Sequence, residues 1–139
     1  MPPQALSPST RRRDARGPEE PNFVWLHELT REVFKLTLAL AGVAAQLEAV
    51  DARPVLASIH QLDHGIVQLR EAFLLHIEGS ASSPSLLRFS DDIELVELVD
   101  QLNDSVGRAV QTTLRVAVDE THYEMIVEAA RQVRRTIGA

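Results

Sequence analysis

From Leu26 onward the apolar residues recur at alternating steps of three and four: Leu26, Leu29, Val33, Leu36, Leu40, Val43, Leu47 and Val50. Eight consecutive matches to a heptad seam predict an amphipathic first helix over about residues 22–50. Asn22 suits its N-cap, and Glu19 and Glu20 suit the positive end of its dipole. The stretch Asp51-Ala-Arg-Pro54 reads as a tight break, with Pro54 in the first turn of a second helix. That helix carries Val55, Ile59, Leu62, Ile66, Leu69, Phe73 and Ile77, and Gly79 reads as its C-cap before a loop through Pro84. So short a joint implies an antiparallel hairpin.

The same pattern resumes after Ser90, a cap followed by Asp91, Asp92 and Glu94. At 100° per residue, Leu95, Val96, Leu98, Val99, Leu102, Val106, Ala109, Val110, Thr113, Leu114, Val116 and Ala117 fall within an arc of about 160°. Asp119 can cap a shorter fourth helix holding Tyr123, Ile126, Ala130, Val133 and Ile137, unless helices three and four run together. A second antiparallel hairpin would set Arg134 and Arg135 near Asp100, and Arg131 near Asp104. No segment reads as a strand. The predicted fold is all-α: an antiparallel bundle of about four helices, two helical hairpins, forming one domain over residues 21–139.

The first helix carries more apolar surface than one seam needs. Phe23, Phe34, Leu38, Ala41 and Ala45 form a second stripe about 120° from the first, and Leu56, Val67 and Leu74 form a minor stripe on helix two. Either helix four and the Leu86-Leu87-Arg88-Phe89 segment cover this surface, or another chain does. Phe34, Leu38, Ala41, Leu56, Val67 and Leu74 are therefore the candidate interaction residues.

Composition narrows the picture. Of 139 residues 45% are apolar but only six are aromatic, so the core must be aliphatic, as helix bundles allow. Five of the seven prolines lie in the first 21 residues beside Arg11, Arg12 and Arg13. Such a composition cannot bury enough to pack, and residues 1–20 read as a disordered Pro/Arg-rich tail. The net charge is −6, and the tail's four Arg make the remainder more acidic still, which disfavours a duplex nucleic-acid surface. There is no Cys, which excludes disulfides, thiolate metal sites and cysteine nucleophiles. The longest apolar run, Leu36 to Ala45, is too short for a transmembrane segment, and with no secretory signal visible the cytoplasm is the expected location.

Candidate chemistry is sparse. His60 and His64 stand one turn apart, a spacing at which two imidazoles reach one metal, but no third ligand falls within reach along the helix. Antiparallel pairing would bring His76 near Leu26 and His27, with Glu28 and Glu78 close, although the Glu-x-x-His pairs of bundle metal sites are absent. The stretch His60-Gln-Leu-Asp-His-Gly65 resembles the phosphoacceptor segment of histidine phosphotransfer domains, which implies a four-helix bundle with His60 exposed as acceptor. Asp63 and His64 hold the places where that family has Lys-Gly. Arg70-Glu-Ala-Phe-Leu-Leu-His76 resembles the Arg-then-His spacing of HEPN-type helical ribonucleases. That likeness implies a dimer-seam site in which Arg70 and His76 assist attack of a 2′-OH on phosphate. A plain contact of Arg70 with Glu32 across the hairpin accounts for the arginine equally well. No Ser-His-Asp triad, phosphate loop or cofactor motif is present, and no cofactor is expected. The function expected from these features is a non-enzymatic interaction module (an adaptor, regulator, chaperone or assembly subunit) with a protein partner or a second copy of itself. The ribonuclease-like and phosphotransfer-like readings are its alternatives.

Overall fold

The computed structural model describes residues 23–82, 93–116 and 119–138, with backbone only at 79–82. The predicted tail, the Asn22 and Ser90 caps, Ala117 and the Leu86–Phe89 segment lie outside the described residues. Four helices make up the fold: α1 (Phe23–Ala44), α2 (Ala49–Ser82), α3 (Ile93–Leu114) and α4 (Glu120–Gly138). No strand occurs among the described residues.

Each helix packs against two neighbours, in the cyclic order α1, α2, α3, α4 and back to α1. Specific contacts give the directions. At one end the indole Nε1 of Trp25 donates to the Thr136 carbonyl over 2.8 Å, joining the start of α1 to the end of α4. Trp25 also stacks on Phe73 of α2, and Phe23 meets the same ring edge-on at 5.6 Å. At the other end Gln46, in the α1–α2 turn, lies 3.4 Å from His122 in the first turn of α4. Neighbours are thus antiparallel around the ring, an up-down-up-down bundle.

The core is the aliphatic one that the periodicity predicts. The seam of α1 from Leu26 to Val43 is buried, and so are Val55, Leu62, Ile66, Leu69 and Phe73 of α2. α3 contributes Leu95, Val99, Leu102, Val106 and Ala109, and α4 contributes Ile126, Ala130, Val133 and Ile137. Fully burying one such side chain contributes about 1.5–3 kcal/mol. The predicted arcs are wider than the buried ones: Leu114 and Tyr123 are exposed, and Val96, Leu98 and Val110 are half-buried. Gly65 lets α2 and α3 approach, since a Cβ there would lie 3.3 Å from Leu102 Cδ1. Gly42 faces open space and serves no such purpose.

Three boundaries differ from those the pattern predicts. α1 stops at Ala44 rather than near residue 50. Tight bonds from Gln46 N to Val43 O and from Leu47 N to Ala44 O turn the chain there. Leu47 is then half-buried in the turn, while Val50 swings out to solvent. The Asp51–Pro54 stretch is no break, because α2 begins at Ala49 and Ala52 N bonds to Glu48 O. Burial of Ala52 pins that turn onto the core. Pro54 sits inside the helix near its start, where the Val50 carbonyl that loses its donor belongs to a solvent-exposed residue. Gly79 does not end α2, which continues to Ser82. One glycine costs a helix only about 1 kcal/mol, too little to stop it without a capping geometry.

The α3–α4 boundary is where Asp119 predicts it. Asp119 Oδ1 accepts from His122 N at 2.8 Å, and Asp119 O accepts from Tyr123 N, which is the N-cap arrangement. The hairpin register differs from the expected one. Arg134 lines a surface hollow with Asp104 and Gly107, while Arg131 bonds to Glu128 one turn back on its own helix. No helix among the described residues is long and apolar enough to cross a membrane.

Candidate interaction surface

The six predicted interaction residues all lie on the outside of the bundle. Phe34, Leu38, Leu56, Val67 and Leu74 are 47–59% exposed, and Ala41 is exposed as well. Phe23 and Ala45, also in the predicted stripe, are exposed too. α4 does not cover this surface: it packs on the flank of α1 bearing Glu32, Lys35 and Ala39, on average about 140° round the helix from Phe34 and Ala41. α3 likewise meets α2 along Gln61, Gly65 and Gln68, roughly a third of a turn from Leu56, Val67 and Leu74.

Both stripes therefore border the outer side of the α1–α2 seam and form one face. The aromatic contact of Phe23 with Phe73 sets the register, which places Phe23 beside Leu74 at one end and Ala41 beside Leu56 near the other. Phe34 and Leu38 stand between them. Exposed polar groups, His27 and Arg31 on α1 and His60, Asp63 and Arg70 on α2, are dispersed across and beside this face. A non-obligate interface taken as a whole is about as apolar as the rest of a protein surface, so such mixing is compatible with one.

The candidate chemical residues are not gathered. His60 and His64 are both exposed on α2. Among the described residues no three His, Asp or Glu side chains stand close enough to hold a metal ion. His76 is buried, whereas His27 and Glu28 point outward, so the possible histidine–carboxylate cluster across the hairpin does not assemble. The hairpin register is about one and a half turns from that pairing, and His76 turns toward the core rather than toward α1's exposed side. Arg70 is exposed, and His76 lies about a third of a turn round α2 from it, so the two do not share a groove. Glu32 is not Arg70's partner. It lies on the α4 side of α1, 3.5 Å from Lys35 and 3.8 Å from Arg31.

A further hollow is not anticipated by the periodic pattern. α1 and α4 leave between them a groove of about 490 Å³ lined by Glu32, Lys35, Ala39, Glu124, Met125, Glu128, Ala129 and others. Ala39 and Ala129 on facing walls are the sequence signal for it, small residues where a bulkier pair would fill the gap. The Glu128 carboxyl is held below its ordinary range by a hydrogen bond from Gln132 and by the Arg131 charge. Comparison of the chain with protein-family models, curated proteins and solved structures finds no match.

Proposed function

We propose that the protein is a non-enzymatic helical module that self-associates through the outer face of α1 and α2, acting as an adaptor or assembly subunit. The observation that supports this is the exposure of Phe34, Leu38 and Ala41 on α1 beside Leu56, Val67 and Leu74 on α2. A large apolar side chain left half exposed presents roughly 100 Å² to water, so with Phe23 the face offers about 600 Å² of apolar surface. That approaches the roughly 800 Å² per partner of a standard interface before any polar rim is counted. A second copy is the simplest occupant, because the same patch can meet itself about a two-fold axis. The proposed setting is the cytoplasm, where a chain without cysteine forgoes nothing.

Sedimentation equilibrium over a range of concentrations tests the reading. A mass approaching twice that of the chain, falling on dilution, is expected. A strict monomer at the highest attainable concentration refutes self-association.

A further inference from the structure

His60 and His64 sit on the crest of α2 that points away from the bundle. Both are exposed, and they stand about 40° and 80° round the helix from Leu56, with Val67 at about 20°. One turn apart, their imidazoles reach a single metal ion, yet a closed tetrahedral site needs four ligands. One chain supplies only these two, since no three metal-binding side chains gather among the described residues. The pair is thus half of a site, and it stands near the centre of the face proposed for self-association. Leu56 and Leu74 bound the α2 stripe, and its midpoint is level with Gly65. The two histidines are centred on Leu62, about 4.5 Å away along the axis.

We propose that His60 and His64 of two copies together form a four-histidine zinc site at the edge of a two-fold dimer. The proposal rests on the self-association reading and adds a register to it. Two copies can meet face to face through α1 and α2 about a two-fold axis that lies in the interface, perpendicular to the helices. That axis sets each α2 antiparallel against its mate. With the axis level with Leu62, His60 faces the partner's His64, and His64 faces the partner's His60. All four imidazoles then line one edge of the α2 pair. Packed helices stand about 8–10 Å apart, so a metal midway between them is within reach of all four rings. The same register passes an independent check. Arg53 and Glu71 lie equally far on either side of Leu62, both about 60° round α2 from Leu56, and both are exposed. Neither has an ion pair among the described residues. In the dimer Arg53 meets the partner's Glu71, and Glu71 meets the partner's Arg53. Zinc suits the set, because neutral imidazole is among its usual ligands and four protein ligands close the site. A closed site of this kind holds structure and leaves no open position for catalysis.

Sedimentation equilibrium of the full chain, first with EDTA and then with zinc chloride, tests this, and a calorimetric titration counts the metal. Zinc that binds only the dimer tightens it about 100-fold when free zinc is about 100 times the site's own dissociation constant. One zinc per two chains is expected. Magnesium, which prefers oxygen ligands, should have no effect. His60→Gln and His64→Gln should each remove the zinc effect, because either costs the site two ligands, and should leave association in EDTA largely unchanged. A dimer indifferent to zinc overturns the site while self-association stands. A chain monomeric with and without zinc overturns both. A chain monomeric in EDTA that dimerises with one zinc per two chains upholds the site and refutes association through the apolar face alone. One zinc bound per monomer, or a zinc effect undiminished in both variants, overturns the proposal.

Discussion

Replacing Leu38 with Glu separates a face that binds another copy from a face that merely tolerates water. Leu38 is 56% exposed in the single chain, so about half of its burial energy is still available to an interface. Full burial of a leucine contributes about 1.5–3 kcal/mol, which leaves roughly 1–1.5 kcal/mol per copy. A two-fold interface contains the residue twice, so the variant should lose about 2–3 kcal/mol of association energy. That is roughly 30- to 150-fold in Kd, before the cost of desolvating two carboxylates. The fold should hardly register the change. Leu and Glu have similar helix propensities, and an exposed helix position away from special features usually shifts stability by under about 0.5 kcal/mol. Sedimentation equilibrium reads the association and far-ultraviolet circular dichroism reads the helicity. An unchanged Kd refutes the placement of Leu38 in the interface. Loss of helicity at unchanged concentration would show instead that the stripe supports the chain's own core.

Phe73, fully buried under Phe23 and Trp25, should cost about 3–5 kcal/mol when replaced by Ala, measured by urea unfolding. Trp25→Phe keeps the packing but removes the bond to Thr136 O, and should cost about 1 kcal/mol in the same assay. Gly42→Ala should stabilise by up to about 1 kcal/mol because its Cβ meets open space, and Gly65→Ala should gain less because its Cβ crowds Leu102; equal gains would refute the close approach of α2 and α3. Asp119 is held below its ordinary 3.8, first by the hydrogen bond from the His122 backbone and then by that from the His122 side chain. A carboxylate depressed in the folded state stabilises it above the unfolded pKa and ceases to do so as pH falls through the folded value. Asp119→Ala should therefore lower Tm at neutral pH, and the difference should shrink as the pH falls below the ordinary 3.8; a difference constant with pH refutes the ionic cap.

The four-helix fold was legible because burial in a helix follows a period the residues display openly. Leu29, Val33, Leu36, Leu40 and Val43 stand at seam positions in the sequence and in the core of the structure. Asp119 was legible as a cap because a carboxylate just ahead of a helix has few other local uses. Boundaries were harder. Val50 continues the heptad spacing yet lies outside α1, since periodicity cannot register a four-residue turn that preserves the count of apolar residues. Pro54 marks the first turn of most helices that contain a proline near their start, whereas here burial of Ala52 draws an extra turn of helix ahead of it.

The interaction face and the groove differ in what announced them. An excess of large apolar side chains is visible as excess, so Phe34 and Leu38 could be assigned to a second stripe without knowing what neighboured them. The residues alone could not decide whether α4 covered that stripe, because this depends on which flank of α1 the fourth helix takes. Trp25 binding Thr136 and the lining of the groove by Ala39 and Ala129 put α4 on the opposite flank. The groove itself is a deficit of side-chain volume between two helices that are far apart in sequence, and a deficit has no periodic signature. The same choice of flank by α4 thus leaves one side of α1 apolar and open and makes the other a hollow with charged edges. An open apolar face and a separate groove are both consequences of that one packing decision.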